Sequence, residues 1–368
     1  MNFKELKITL LLNLTPVCLF ACQSRNMNEG EVRAAPSFST LPAPGQGPWG
    51  MRSSAFLASS DDCRRVKGDV LEPGFKLSKS QSSSNCMETK FFRPVISLTS
   101  LKSYTDAGVF KPDNEKLLVL HQFGLDADDG TKSAVLANVG HAVNGETDGQ
   151  FFTARIPLSA FDTAEAYYLI ESFKVGPIAG SHGMMRFQFT SPVVDLYPQS
   201  GPDMDKIAAK TNGIVFSVHA IPAQNAGFDP LGAGMNSGMA LGRGIYTPEN
   251  KMADVIEKQK HTLQQIKLKL DSTQKRKFFE TYVADGPNRF YQVPYHTLDN
   301  NCGTELLQVF ADAFGMPKPQ SFANEGFFKG IKAAMTGRML PDIFPDQVRS
   351  ALKDRNIYDS EAADWTKP

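Results

Sequence analysis

Cys302 is the residue of this chain whose setting best suits a nucleophile. It stands in the run Tyr295-His296-Thr297-Leu298-Asp299-Asn300-Asn301-Cys302-Gly303-Thr304-Glu305. A polar turn ends there and an amphipathic helix begins, with Leu306, Val309, Phe310, Ala313 and Phe314 at helical spacing. Gly315 and Pro317 stop it. Asn300 or Asn301 can cap its start, and Glu305 is early enough to reach back toward a free N–H. The spacing therefore predicts a thiol within about one residue of a helix N-terminus. Free N–H groups and the positive end of the dipole favour a thiolate there. A thiolate can attack an ester or amide carbonyl and hold the acyl group as a thioester.

Such a thiol needs a base, and the chain has six histidines. His182 lies in Gly180-Ser181-His182-Gly183, ahead of an alternating run in which Met185, Phe187 and Phe189 take one side and Met184, Arg186 and Gln188 the other. The glycines give the backbone freedom to place a ring at a strand mouth, so His182 is the expected base. His219, in a strand-like run, and His296, six residues before Cys302, are the alternatives. His261 is expected on an exposed, charged helix, and His121 and His141 in structural roles. The Cys302 N–H is the expected oxyanion donor, with Tyr295 or Asn301 as a second; Asp195 or Gln188 could orient the imidazole. There is no HExxH and no CxxC pair, so neither a metal nor a cofactor is expected.

The elements that must position these residues follow from a wider reading. Lys4 and Lys7, an apolar run over 8–20 and Leu19-Phe20-Ala21-Cys22 read as a lipoprotein signal over 1–21 with lipid on Cys22. An ordinary cleaved signal with an incidental cysteine is the alternative. Gln23 after the cysteine favours the outer membrane, so the expected location is periplasmic and lipid-anchored. Residues 22–50, rich in Ser, Pro, Asn, Ala and Gly, read as a flexible tether. Of five cysteines, Cys18 leaves with the signal and Cys22 carries lipid, which leaves Cys63, Cys86 and Cys302. An oxidising compartment favours a Cys63–Cys86 bridge and a free Cys302. A bridge from Cys302 to one of the other two, or a packed core cysteine, are the alternatives.

Short β-branched or aromatic runs at 95–98, 116–121, 150–156 and 166–170 make 51–172 a β-rich region. Residues 173–340 hold the Cys and His motifs. Within them Gly213–Ile221 reads as a strand, 227–244 as a glycine-rich loop or flap, and 249–264 as a helix with a solvated face. Asp271-Ser272-Thr273-Gln274 is a capping box opening a helix whose Phe278, Phe279, Tyr282 and Val283 face a core. Residues 341–368 read as a helical extension. The class is α+β. Lys plus Arg equals Asp plus Glu at 39 each, which gives no reason to expect a nucleic-acid partner. Nothing after the N-terminus is apolar for long enough to span a bilayer.

Three motifs together resemble a known family. They are Gly180-Ser181-His182-Gly183-Met184-Met185-Arg186-Phe187, Leu268-Lys269-Leu270-Asp271-Ser272-Thr273-Gln274, and Tyr295 through Asn301-Cys302-Gly303-Thr304. Their order and spacing are similar to the periplasmic domain at the N-terminus of the Lnb-type lipoprotein intramolecular transacylase. The resemblance implies a circularly permuted papain-like (NlpC-like) cysteine fold, with the histidine strand before the cysteine helix. It also implies a Cys302–His182 dyad. In characterised members the chemistry moves a fatty acyl group on a lipoprotein. The expectation is thus a lipid-anchored, cysteine-dependent acyl-group enzyme, with the membrane reached through Cys22 and an acylated lipoprotein as substrate. A peptidoglycan amidase or endopeptidase with the same dyad, and a non-catalytic envelope lipoprotein, are the competing expectations.

Overall fold

Strands whose alternate residues are apolar on both sides can be buried on both faces, and such strands form the centre of this computed structural model. It describes residues 133–148, 150–175, 178–198, 206–222, 239–289, 294–297, 301–316 and 344–365, with two-residue strands at 64–65, 86–87 and 96–97. The expected signal, Cys22, the tether, the expected strand at 116–121 and Cys63, hence the Cys63–Cys86 pairing, lie outside the described residues.

A two-stranded ribbon pairs β1 (Arg64–Arg65) with β2 (Cys86–Met87). The larger sheet holds β3 (Ile96–Ser97), β4 (Ser133–Gly140), β5 (Phe151–Pro157), β6 (Glu165–Val175), β7 (Ile178–Gln188), β8 (Val194–Pro198) and β9 (Ala209–Thr211). It also holds β10 (Gly213–Ile221), β11 (Met239–Tyr246), β12 (Thr262–Leu268), β13 (Pro294–Tyr295) and β14 (Tyr358–Ala362). Its path runs β14-β12-β6-β7-β10-β11-β4-β5-β8-β9, with β13 on β11 and β3 on β4. The β11–β4 pair is parallel and the other described pairs are antiparallel, so the sheet is mixed. With the helices below, the fold is α+β.

The period of two sorts the side chains. Tyr168, Met185, Phe187, Ile214, Phe216 and Val218 turn to one face, where they join a core with residues of four helices. These are α1 (Ala160–Thr163), α3 (Ser272–Arg289), α4 (Cys302–Phe314) and α5 (Phe344–Asp354); α2 (Pro248–Lys251) lies on the other face. Phe216 meets Phe187 edge-on at 5.5 Å and Phe278 at 5.4 Å, and Phe278 meets Phe310 at 4.7 Å. Each such buried ring contributes about 1.5–3 kcal/mol of apolar transfer. Leu169, Met184 and Val215 turn to the opposite face, against Tyr246, Val255 and Leu263. There α2 and a π-helical turn (Met252–Lys258) form the cover.

Several expectations change. The helix read over 249–264 stops at Lys258, and β12 pairs with β6 from Thr262↔Ser172 to Leu268↔Ala166. The ladder and the burial of Leu263, Ile266 and Leu268 outweigh helical spacing there. The end of the glycine-rich stretch is a central strand, β11; residues 223–238 lie outside the described set. Gly140 and Gly244 are needed because the Tyr246 ring packs where their Cβ atoms would be. The C-terminal segment holds a helix, α5, followed by a strand, β14. β6 runs across residues 172 and 173, so strands from both sides of that expected boundary share one sheet.

Candidate active site

The α4 helix begins where its capping chemistry says it should. Asn301 is extended, and its side-chain oxygen accepts from the Gly303 N–H at 2.9 Å and the Thr304 N–H at 3.0 Å. The Thr304 hydroxyl accepts from the Asn301 N–H at 2.9 Å. Thr304, not Glu305, therefore closes the box. Glu305 turns inward instead, and the buried Arg243 guanidinium donates to its Oε1 at 2.9 and 2.6 Å. At the other end Gly315 takes φ +65°, the left-handed cap the sequence predicts.

Cys302 is the first residue of α4 and a free thiol, 4% exposed. The β7–β10 ladder ends at Met184↔Ser217, while β6 and β7 stay paired to Val175↔Ile178. Beyond that point β10 no longer pairs with β7. The Gly183 N–H donates to the Cys302 sulfur at 3.4 Å. The expected thiolate is not what this setting favours. Burial pushes the thiol up to about 11. The N–H groups of Gly183, Gly303 and Cys302 pull the other way, and the Glu171 charge adds to the rise. Desolvation outweighs the helix terminus here because little water reaches the sulfur.

His182 lies inside β7 rather than at its mouth, since the strand already starts at Ile178. Strand alternation gives it the side of Met184 and gives Gly183 the side of Met185. Its Nε2 is 2.8 Å from Ser217 Oγ, and its ring stacks on His219 at 5.8 Å. The residue keeps some solvent contact. Even so, the protein packed round the ring, then the Lys251 charge, holds it down at about 3. The structure thus brings the residue after His182, and not the imidazole, to the sulfur. Among the described residues no hydrogen bond joins the two side chains, and both are uncharged at neutral pH.

The other expected site residues divide. Tyr295 is buried near Cys302, and burial first, then the Cys302 charge, holds its hydroxyl well above the usual tyrosine range. Asn301 is committed to the cap and donates from Nδ2 to the Thr297 carbonyl. Asp195 pairs with Lys210 at 2.8 Å on β8, five strands from β7, about 24 Å at the usual strand spacing. It does not orient the His182 ring. Gln188 donates to the Asn212 carbonyl at 2.9 Å, six residues along β7, about 20 Å away. Sequence reasoning missed Tyr168, a fully buried residue on β6 beside Gly183 and Cys302. Its place on the core side of an alternating strand was readable; its neighbour was not.

A polar cluster lies on the opposite face. His261 Nδ1 is 2.6 Å from Glu171 Oε1, rather than exposed on a helix. Lys251 Nζ is 3.8 Å from Asp254 and 4.0 Å from the centre of the Tyr246 ring, which meets His219 edge-on at 5.2 Å. This face makes acid stability a test. His182 falls from 6.5 to about 3 on folding, and His219 falls well below 6.5. The unfolded chain therefore takes protons first as pH drops. Stability from these rings is complete above about 6.5 and is lost as pH falls below it, at less than about 1.4 kcal/mol per unit for each ring because both residues keep some solvent contact. Glu171 is held up by burial and acts oppositely, losing its contribution as pH rises past 4.5. Denaturant unfolding at pH 7.5, 5.5 and 4.5 should show the loss, and His182→Asn should flatten it. An unchanged slope in the variant would remove His182 from the account.

Among the described residues no group of three or more His, Cys, Asp or Glu could hold a metal ion, and no helix is long and apolar enough to cross a membrane. No family model, curated protein or solved structure matches the chain.

Proposed function

We propose that this chain is a lipid-anchored periplasmic enzyme that transfers or hydrolyses acyl groups through a thioester on Cys302. One observation carries the reading. The sulfur occupies the first position of a capped helix and receives the N–H of the residue after His182, where β10 stops pairing with β7. A histidine strand that precedes a cysteine helix in the chain and meets it in space is the arrangement a permuted papain-like site requires. In this reading substrate binding draws the imidazole off Ser217 and through the gap where β10 leaves β7, to the side of the sheet that carries Cys302. His182 then takes the thiol proton, and the sulfur adds to the carbonyl. The oxyanion collapses, and the leaving alkoxide or amine takes the proton from His182. Water or an amine then releases the acyl group. The lipid on Cys22 would hold the enzyme at the outer membrane, beside acylated lipoproteins and, in the amidase variant, peptidoglycan.

A second reading is a non-catalytic envelope lipoprotein. The thiol at about 11 and the imidazole bonded to Ser217 favour it. Intact mass spectrometry after exposure to p-nitrophenyl butyrate separates the two. The enzyme reading expects one butyryl adduct on Cys302, absent from Cys302→Ala, with the melting temperature of the variant nearly unchanged. No adduct at any pH, together with a large loss of stability in Cys302→Ala, would leave the second reading. Iodoacetamide alkylation of the resting protein should rise with pH toward a midpoint of about 11, with no plateau between pH 5 and 8.

A further inference from the structure

Tyr168 is 0% exposed, and its hydroxyl has no hydrogen-bond partner among the described residues. An orphaned hydroxyl in a packed core is costly, so it calls for a function. Its surroundings supply one. Tyr168 pairs with Met185 across the ladder, on the helix-covered face, and its ring slants along β7 to Gly183. The hydroxyl occupies the space a Gly183 side chain would need, and the Gly183 N–H is the group bonded to the Cys302 sulfur. The hydroxyl and the sulfur thus lie against the same glycine. Burial first, then the neighbouring Cys302 charge, holds the phenol in its protonated, donating form.

We propose that the Tyr168 hydroxyl is the hydrogen-bond donor for the oxyanion that forms when Cys302 adds to a substrate carbonyl. This rests on the acyl-enzyme reading above. The sulfur lone pair makes the C–S bond, the carbonyl π pair moves onto oxygen, and that oxygen accepts from Tyr168. On collapse the pair returns to the C=O bond, the bond to the leaving alkoxide or amine breaks, that group leaves with the proton held by His182, and the Tyr168 hydroxyl is released. The free protein leaves the hydroxyl unpaired because its acceptor exists only during reaction. Such a donor accelerates addition without binding the ground state equally.

The experiment compares two reactions of one sulfur in Tyr168→Phe. Acylation by p-nitrophenyl butyrate passes through an oxyanion; alkylation by iodoacetamide is a displacement at saturated carbon and does not. The expected result is acylation slowed by about 10²–10³-fold. Alkylation should stay within threefold of wild type and the melting temperature should be equal or higher. Equal losses in both reactions would make Tyr168 a packing residue and overturn the assignment. Wild-type rates of acylation in the variant would overturn it alone, leaving the enzyme reading intact. A wild-type protein that alkylates but never acylates would overturn both.

Discussion

Glu305→Ala should cost the fold about 3–5 kcal/mol, enough to remove much of the stability of an ordinary domain. Arg243 and Glu305 are each 1% exposed in their side chains, and the guanidinium donates through Nε at 2.9 Å and Nη2 at 2.6 Å. Nη1 reaches the Tyr282 carbonyl at 3.5 Å, at the limit of a hydrogen bond. Removing the carboxylate takes away the two short charge-assisted bonds that hold this buried cation on β11. It also leaves a void under the first turn of α4, the turn that presents Cys302. Glu305→Gln keeps an acceptor and the volume, so it should cost less than Glu305→Ala. Replacing both residues together, Arg243→Met with Glu305→Leu, should recover most of the loss, because the desolvation penalty disappears with the charges. Urea unfolding of the four proteins measures this. A single-variant loss below about 1 kcal/mol would mean that water reaches the pair.

Gly183→Ala should cost about 2–3 kcal/mol, although glycine to alanine in a strand is normally neutral or favourable. The new methyl would collide with the Tyr168 hydroxyl, stand 3.1 Å from Tyr168 Cζ and lie 3.3 Å from Phe344 Cζ. Tyr168 is 0% exposed, so any retreat of its ring displaces packed neighbours. Any shift of β7 also moves the N–H that holds the Cys302 sulfur, so alkylation of Cys302 should change in rate. Tyr168→Phe in the same chain removes the colliding oxygen and leaves the ring carbon in place. The double variant should therefore recover part of the loss, about 1 kcal/mol of coupling. Strict additivity would show that the two positions do not touch.

These two residues show how the readable and unreadable parts of the site differ. Glu305 could be assigned to the first turn of a helix from its spacing, but the box it was expected to close is closed by Thr304. A short polar side chain three residues past the cap satisfies the same N–H, which frees the longer one for a cation 62 residues away. Gly183 could be assigned only to the mouth of a strand from the alternation that follows it, whereas it lies inside β7, and the reason it has no side chain lies on β6 and α5. Likewise 249–264 carries charges at helical spacing, yet its second half pairs with β6 because the sheet needs that strand.

By itself the sequence determined what neighbours along the chain can settle. Caps, stop residues and periods of 2 and 3.6 set the helix Cys302–Phe314, the strand Gly213–Ile221, the Asp271–Gln274 box and the sides taken by Met184 and Met185. Only the tertiary structure decided the state of the chemistry. The sulfur meets Gly183 across 119 residues, and the imidazole meets Ser217 across 35. Whether a thiol ionises depends on how much water and which charges surround it. That is a property of three-dimensional enclosure, which no spacing along one strand or helix encodes.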